Sequence, residues 1–308
     1  NLKLSYLHLM KWNESILDYS HYLKIERGLS SHTIQNYIRD VKKLVYFLDE
    51  EKISSSPIGI NEELIQKFIY TIAKEISPRS QARIISGLRS YFDYLIFENY
   101  RESNPTDLIE TPKIGVKLPD TLSEQEINSL ISAIDLSKAE GERNRAMLET
   151  MYSCGLRVSE LIHLKISDLF FDEGFIKIVG KGNKERFVPI HFSAQKYIIL
   201  YMNEIRTQLT IKKGFEDTLF LNRRGKSLSR QMIFMILKAL AIKIDLNKKI
   251  SPHTFRHSFA THLLKNGADL RAIQQMLGHE SITTTEVYVH LDTSYLKEIV
   301  EKYHPIKS

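Results

Sequence analysis

At 308 residues, with 43% hydrophobic and 26% charged residues, the chain has the make-up of an ordinary globular protein and a length that suits two domains better than one. No apolar run reaches the roughly 18 residues of a membrane span, and the first dozen residues lack a secretory signal's apolar core and cleavage site, so no membrane attachment is expected. Basic residues outnumber acidic ones 43 to 37, by 16 to 15 in residues 1–118 and 27 to 22 beyond, an excess that points to a polyanionic partner.

Ile16, Tyr19 and Leu23 form a helical stripe that runs toward Gly28, a residue suited to a C-terminal cap. Ile34, Tyr37, Ile38, Val41, Leu44, Val45 and Leu48 keep a helical period for four turns. Leu64, Ile65, Phe68, Ile69 and Ile72 predict a third helix. Ser77-Pro78 opens a fourth, with Ile84, Ile85, Leu88, Tyr91, Phe92, Leu95 and Ile96 inward. An all-helical domain over residues 1–103 follows. Arg39, Lys42, Lys43, Arg79, Arg83 and Arg89 lie off the stripes, which suits either a phosphate backbone or a plain solvated face. Residues 104–120 hold Pro105, Pro112, Gly115 and Pro119 without periodicity and read as an extended linker.

A second domain over residues 121–308 is predicted to be helical with one small sheet. Its first helix starts at Ser123, paired with Glu126 in a capping box. The single cysteine, Cys154, excludes an internal disulfide framework, suits a reducing, cytoplasmic compartment, and sits at a helix end where packing is its expected role. Phe175–Val179 and Arg186–Ile190 are strand-like runs around Gly180-Lys181-Gly182-Asn183-Lys184, which makes a β-hairpin with lysines at its tip. Helices resume near Ser193 and continue to the C-terminus.

Five segments of this domain concentrate residues suited to a phosphate. In Gly155-Leu156-Arg157-Val158-Ser159-Glu160-Leu161, Glu160 stands three residues after Arg157, where a helix lets it hold the guanidinium. The hairpin tip supplies Lys181 and Lys184. In Ser251-Pro252-His253-Thr254-Phe255-Arg256-His257, a cap and a first-turn proline put His253 and Arg256 near a helix N-terminus, which favours an anion. Gly278 ends a further helix just before His279. Thr283 and Glu286 form another capping box, which puts Tyr288 in a second helical turn. Taken singly, each segment also fits a surface ion pair, a solvated turn or a packed ring. A zinc reading of His253, His257 and His262 lacks the glutamate that should follow the first histidine, since Thr254 stands there.

Together the stretches G-L-R-V-S-E-L, G-K-G-N-K-E-R, S-P-H-T-F-R-H-S-F-A-T-H-L-L, L-G-H-E-S-I-T-T-T and V-Y-V-H-L resemble the tyrosine recombinase (phage integrase) family, and within it the bacterial Xer recombinases. The resemblance runs over nearly the whole chain. It implies a mainly α fold with a small β-hairpin, in which a helical core-binding domain and a catalytic domain close on DNA as a two-domain clamp. It also makes Arg157 and Arg256 the two catalytic arginines, Lys181 the hairpin lysine, His253 and His279 the two histidines, and Tyr288 the nucleophile.

On that basis the expected reaction is phosphoryl transfer on DNA. Free tyrosine, with a pKa near 10, is a poor nucleophile at neutral pH. Two arginines would grip the non-bridging oxygens, His253 would assist the tyrosine proton, His279 would donate to a phosphate oxygen, and Lys181 would protonate the leaving 5′-oxygen. A 3′-phosphotyrosyl link conserves bond energy, so no ATP, cofactor or metal is expected. The resemblance further implies a specific site on double-stranded DNA and a tetramer, built from this chain alone or with a paralogous recombinase. It suggests control by a DNA translocase, and a tail from Leu291 to Ser308 docked on a neighbouring subunit. Chromosome dimer resolution leads over a phage or mobile-element integrase and over a catalytically silent DNA-binding regulator.

Overall fold

The structure is a computed structural model that describes residues 10–113, 115, 121–180, 183–278 and 293–305. It divides into two compact units, Asn1–Lys117 and Leu118–Ser308.

The N-terminal unit is built from α1 (Trp12–Ile25), α2 (Ser31–Glu50), α3 (Glu62–Ala73) and α4 (Pro78–Phe97). Ser30, Asn61 and Ser77 cap the last three through their side chains, and Pro78 takes the first turn of α4, where its missing N–H costs nothing. The predicted stripes form one core around Tyr19, Leu44, Phe68, Leu88 and Phe92. Two of the off-stripe arginines hold this unit together. Arg83 Nη1 lies 2.6 Å from Oδ2 of the buried Asp40 and so joins α4 to α2. Gly87 makes room for that pair, because a β-carbon there would stand 2.8 Å from Asp40 Oδ2. Arg89 donates to the carbonyls of Thr106 and Ile109. The start of the stretch expected to be an extended linker therefore folds back on this unit, with Asn104, Thr106 and Ile109 buried.

The C-terminal unit is mainly helical around a three-stranded antiparallel sheet. Its elements are α5 (Glu124–Ser132), α6 (Gly141–Ser153), α7 (Val158–Ile162), β1 (Leu169–Phe170), β2 (Phe175–Val179), β3 (Glu185–Pro189), α8 (Phe192–Leu200), α9 (Arg230–Lys243), α10 (Pro252–Lys265), α11 (Leu270–Leu277) and α12 (Thr293–Tyr303). The Ser123–Glu126 capping box forms in both directions. Strands β2 and β3 pair from Phe175↔Pro189 to Val179↔Glu185, so the second strand begins one residue earlier than predicted. Strand β1 is an addition to the expected hairpin.

Cys154 is fully buried at the end of α6, and burial pushes its thiol up to about 12. Among the described residues no helix is long and apolar enough to cross a membrane.

In the described part of the tail, Leu296, Ile299 and Val300 are buried in the core of their own unit, with Ile176, Phe259, Ile273 and Met276 in the same cluster. Their i, i+3, i+4 spacing makes one stripe that this core accommodates. The Lys297 side chain lies over Gly174, and Asn266 donates to the Tyr303 carbonyl at 2.8 Å.

Candidate active site

Helix α6 ends at Cys154, and Gly155 then turns with φ of +59°, a backbone state that costs glycine little. After this turn Arg157 occupies the N-cap position of α7 in extended conformation. One turn on, Glu160 folds back. Its Oε2 accepts the Arg157 backbone N–H at 2.8 Å, and its Oε1 accepts Arg157 Nη1 at 2.8 Å. The pair read from the sequence thus exists, but with Glu160 buried rather than at the surface. The Arg157 side chain keeps 33% of its exposure and presents a charge to solvent.

Helix α10 brings the second arginine. Ser251 accepts the Thr254 N–H as a cap, and Pro252 takes the first position. Phe255 and Phe259 bury one face completely. Arg256 is drawn inward with them, where it donates to the Gly155 carbonyl at 2.8 Å and to the Leu277 carbonyl. Its Nη1 lies 3.8 Å from Glu160 Oε2. Burial and the like charge of Arg157 pull Arg256 down to about 10, and it remains charged at neutral pH.

His253, on the first turn of α10, is exposed, as is His257. His262 lies nine residues after His253, half a revolution around the helix, and points inward to place Nδ1 2.8 Å from the Tyr152 hydroxyl. These three histidines therefore do not share one face. Among the described residues no cluster of metal-ligating side chains occurs.

Sequence reasoning missed a third arginine. From β3, Arg186 sets Nη1 2.9 Å from Glu160 Oε1 and Nη2 3.0 Å from Oε2, a two-toothed grip, while Nε donates to the Met276 carbonyl at 2.8 Å. A signal was available: Arg186 shares its strand face with the buried Val188, so a charge at that phase needs an internal partner. Burial would raise the Glu160 carboxyl, but the hydrogen bonds and charge of Arg186, then those of Arg157, outweigh it and hold Glu160 below its ordinary 4.5.

The structure therefore brings Arg157, Arg256 and Arg186 together and sets three guanidiniums against one carboxylate. The surplus positive charge suits an anionic phosphorus centre. Helix α11 ends at Gly278 with φ of +62°, in the left-handed state expected of its cap. Lys181, His279 and Tyr288 lie outside the described residues.

Residues 120–294 match the phage integrase family, and residues 16–99 match the phage integrase N-terminal SAM-like domain. The chain is 45% identical over 294 residues to tyrosine recombinase XerD of Staphylococcus epidermidis, which covers 95% of this chain and 99% of that protein. It is 46% identical over 290 residues to XerD of Staphylococcus saprophyticus, with 94% and 98% covered. Among solved structures, XerH recombinase bound to a palindromic difH substrate in a post-cleavage complex matches with a TM-score of 0.70 and 25% identity, over 88% of this chain and 80% of that one. A lambda integrase fragment bound as a dimer to a core site shares the fold, with a TM-score of 0.70 at 20% identity, over 91% of this chain and all of that one. The family match over residues 120–294 and 45% identity to XerD over 95% of the chain make this chain a member of the phage integrase family of tyrosine recombinases.

Proposed function

We propose that the chain is a site-specific recombinase that cuts and rejoins double-stranded DNA through a 3′-phosphotyrosyl link, as in Xer-type resolution of chromosome dimers. The observation that carries this reading is the gathering of Arg157 and Arg256 on one buried carboxylate, with Arg157 open to solvent. The two guanidiniums grip the non-bridging oxygens of the scissile phosphate and offset the charge that grows as the phosphorane forms. The Tyr288 oxygen forms a bond to phosphorus while the bond to the 5′-oxygen breaks. His253 assists the tyrosine proton, Lys181 protonates the departing 5′-oxygen, and His279 donates to a phosphate oxygen. A 5′-hydroxyl from a second duplex reverses these steps, and the preserved phosphoester energy makes a nucleotide unnecessary. Four subunits, of this chain alone or with a paralogous recombinase, act on two sites in the cytoplasm, and a DNA translocase sets which pair of subunits cuts.

The test is covalent capture. Wild type and Tyr288→Phe are mixed with a labelled nicked suicide duplex whose site has been selected by binding from a random pool. A labelled protein-sized band on a denaturing gel is expected with wild type alone. Tight binding without that band, with a paralogue also present, would point to a silent DNA-binding relative.

A further inference from the structure

One carboxylate cannot orient several guanidiniums unless something orients the carboxylate. Glu160 Oε1 accepts from both Arg157 and Arg186, and Oε2 accepts from the Arg157 backbone N–H and from Arg186. Among the described residues, Arg186 is the partner that grips both Glu160 oxygens with paired side-chain donors, and this fork sets the plane of the carboxylate. The 2.9 and 3.0 Å bonds are nearly equal, as a parallel fork on a carboxylate requires.

Arg186 is itself held from a third side. Its Nε donates to the Met276 carbonyl at 2.8 Å, near the end of α11. Its Cδ, Nε and Cζ lie 3.2–3.3 Å from where a Gly278 β-carbon would be, so the guanidinium rests against the turn that ends that helix. Only 14% of the side chain is exposed, against 33% for Arg157. One edge of Arg186 is spent on Glu160 and its Nε on a carbonyl, while Arg157 faces outward.

Resting on the recombinase reading above, we infer that Arg186 is a positioning residue, which fixes the Glu160 carboxylate between β3 and the end of α11 and thereby aims Arg157 and Arg256 at the scissile phosphate. Lysine cannot replace it, because a single ammonium does not span both carboxylate oxygens and a carbonyl at once.

The test compares wild type, Arg186→Lys and Arg186→Met as full chains on two suicide duplexes. One carries the ordinary scissile phosphate; the other carries a methylphosphonate there, which has no negative charge to neutralise. Cleavage of the phosphate is expected to fall about 100-fold in both variants. Cleavage of the methylphosphonate is expected to stay within about threefold of wild type, and DNA affinity likewise, since phosphate contacts elsewhere set binding. An equal loss on both duplexes overturns the proposal in favour of general structural damage. So does a full rate in Arg186→Lys. If Arg186→Met does not fold, Arg186→Lys alone decides.

A second readout needs no activity. The side-chain N–H resonances of Arg157 and Arg256 in the free protein are expected to shift and exchange faster in Arg186→Lys. Unchanged resonances overturn the positioning role. Absence of a covalent adduct with wild type would instead count against the recombinase reading, and the resonances would still decide this one.

Discussion

Gly155 lies against the ring of Phe259: a β-carbon on Gly155 would stand 2.7 Å from Phe259 Cε1 and closer still to Cδ1. The same glycine gives its carbonyl to Arg256, which sits three residues before Phe259 on α10. Close packing and arginine placement therefore meet at one residue. Gly155→Ala adds a left-handed strain of about 1–2 kcal/mol and overpacking of about 1–3 kcal/mol. Urea unfolding should show a loss of about 2–5 kcal/mol, with cleavage reduced in the fraction that stays folded. A loss under about 0.5 kcal/mol would mean that the ring simply moves aside.

Glu160→Gln keeps the shape of the buried side chain and removes the charge that three guanidiniums face. Breaking a buried ion pair by neutralising one partner costs about 3–5 kcal/mol, and chemical denaturation should register it. Because the folded Glu160 sits below its ordinary 4.5, its stabilisation is complete above that value and is lost as pH falls through the lower folded value. The variant should therefore lose stability at neutral pH and show a shallower acid decline than wild type. Matching acid limbs would contradict the assignment.

Burial lowers both His262 and His191 from their ordinary 6.5. Unfolding then takes up protons below that value, so stability is full above about pH 6.5 and falls as the solution is acidified toward the lower folded values. Thermal melts between about pH 7.5 and 5 should show this decline, and His262→Gln should flatten part of it, with His191 supplying the rest. An identical slope in the variant would remove His262 from the account.

Leu296→Ala opens a cavity in the core that α12 shares with α10 and α11. A loss of about 2–5 kcal/mol is expected, and denaturant midpoints should not depend on protein concentration, because the tail packs on its own unit. A midpoint that rises with concentration would show the stripe seated on another copy.

The helices of the N-terminal unit were legible because their apolar residues recur at three and four, and Ser77-Pro78 marked the start of the last. Ser251-Pro252 and Gly278 marked helix limits in the C-terminal unit equally well. Strand β1 was not legible, since Leu169 and Phe170 are too few to carry a period. The partner of Arg83 was hidden for another reason: Asp40 lies 43 residues away, and no local pattern reports such a distance. The stripe on α12 showed that a face would be covered, while the neighbour covering it follows only from tertiary packing. Arg157 and Arg256 could be read from short motifs, whereas Arg186 reaches its place only when β3, α7 and the end of α11 come together.

The setting of Cys154 has a practical consequence. A lone thiol, fully buried and with its ionisation suppressed, has almost no reactive thiolate available in the native state. Native protein should be inert to maleimides, and any slow labelling must pass through an opening of the core around α6. The rate of that labelling becomes a clock for unfolding of the C-terminal unit under native conditions. Cysteines introduced at the surface, in turn, would carry dyes without competition from within.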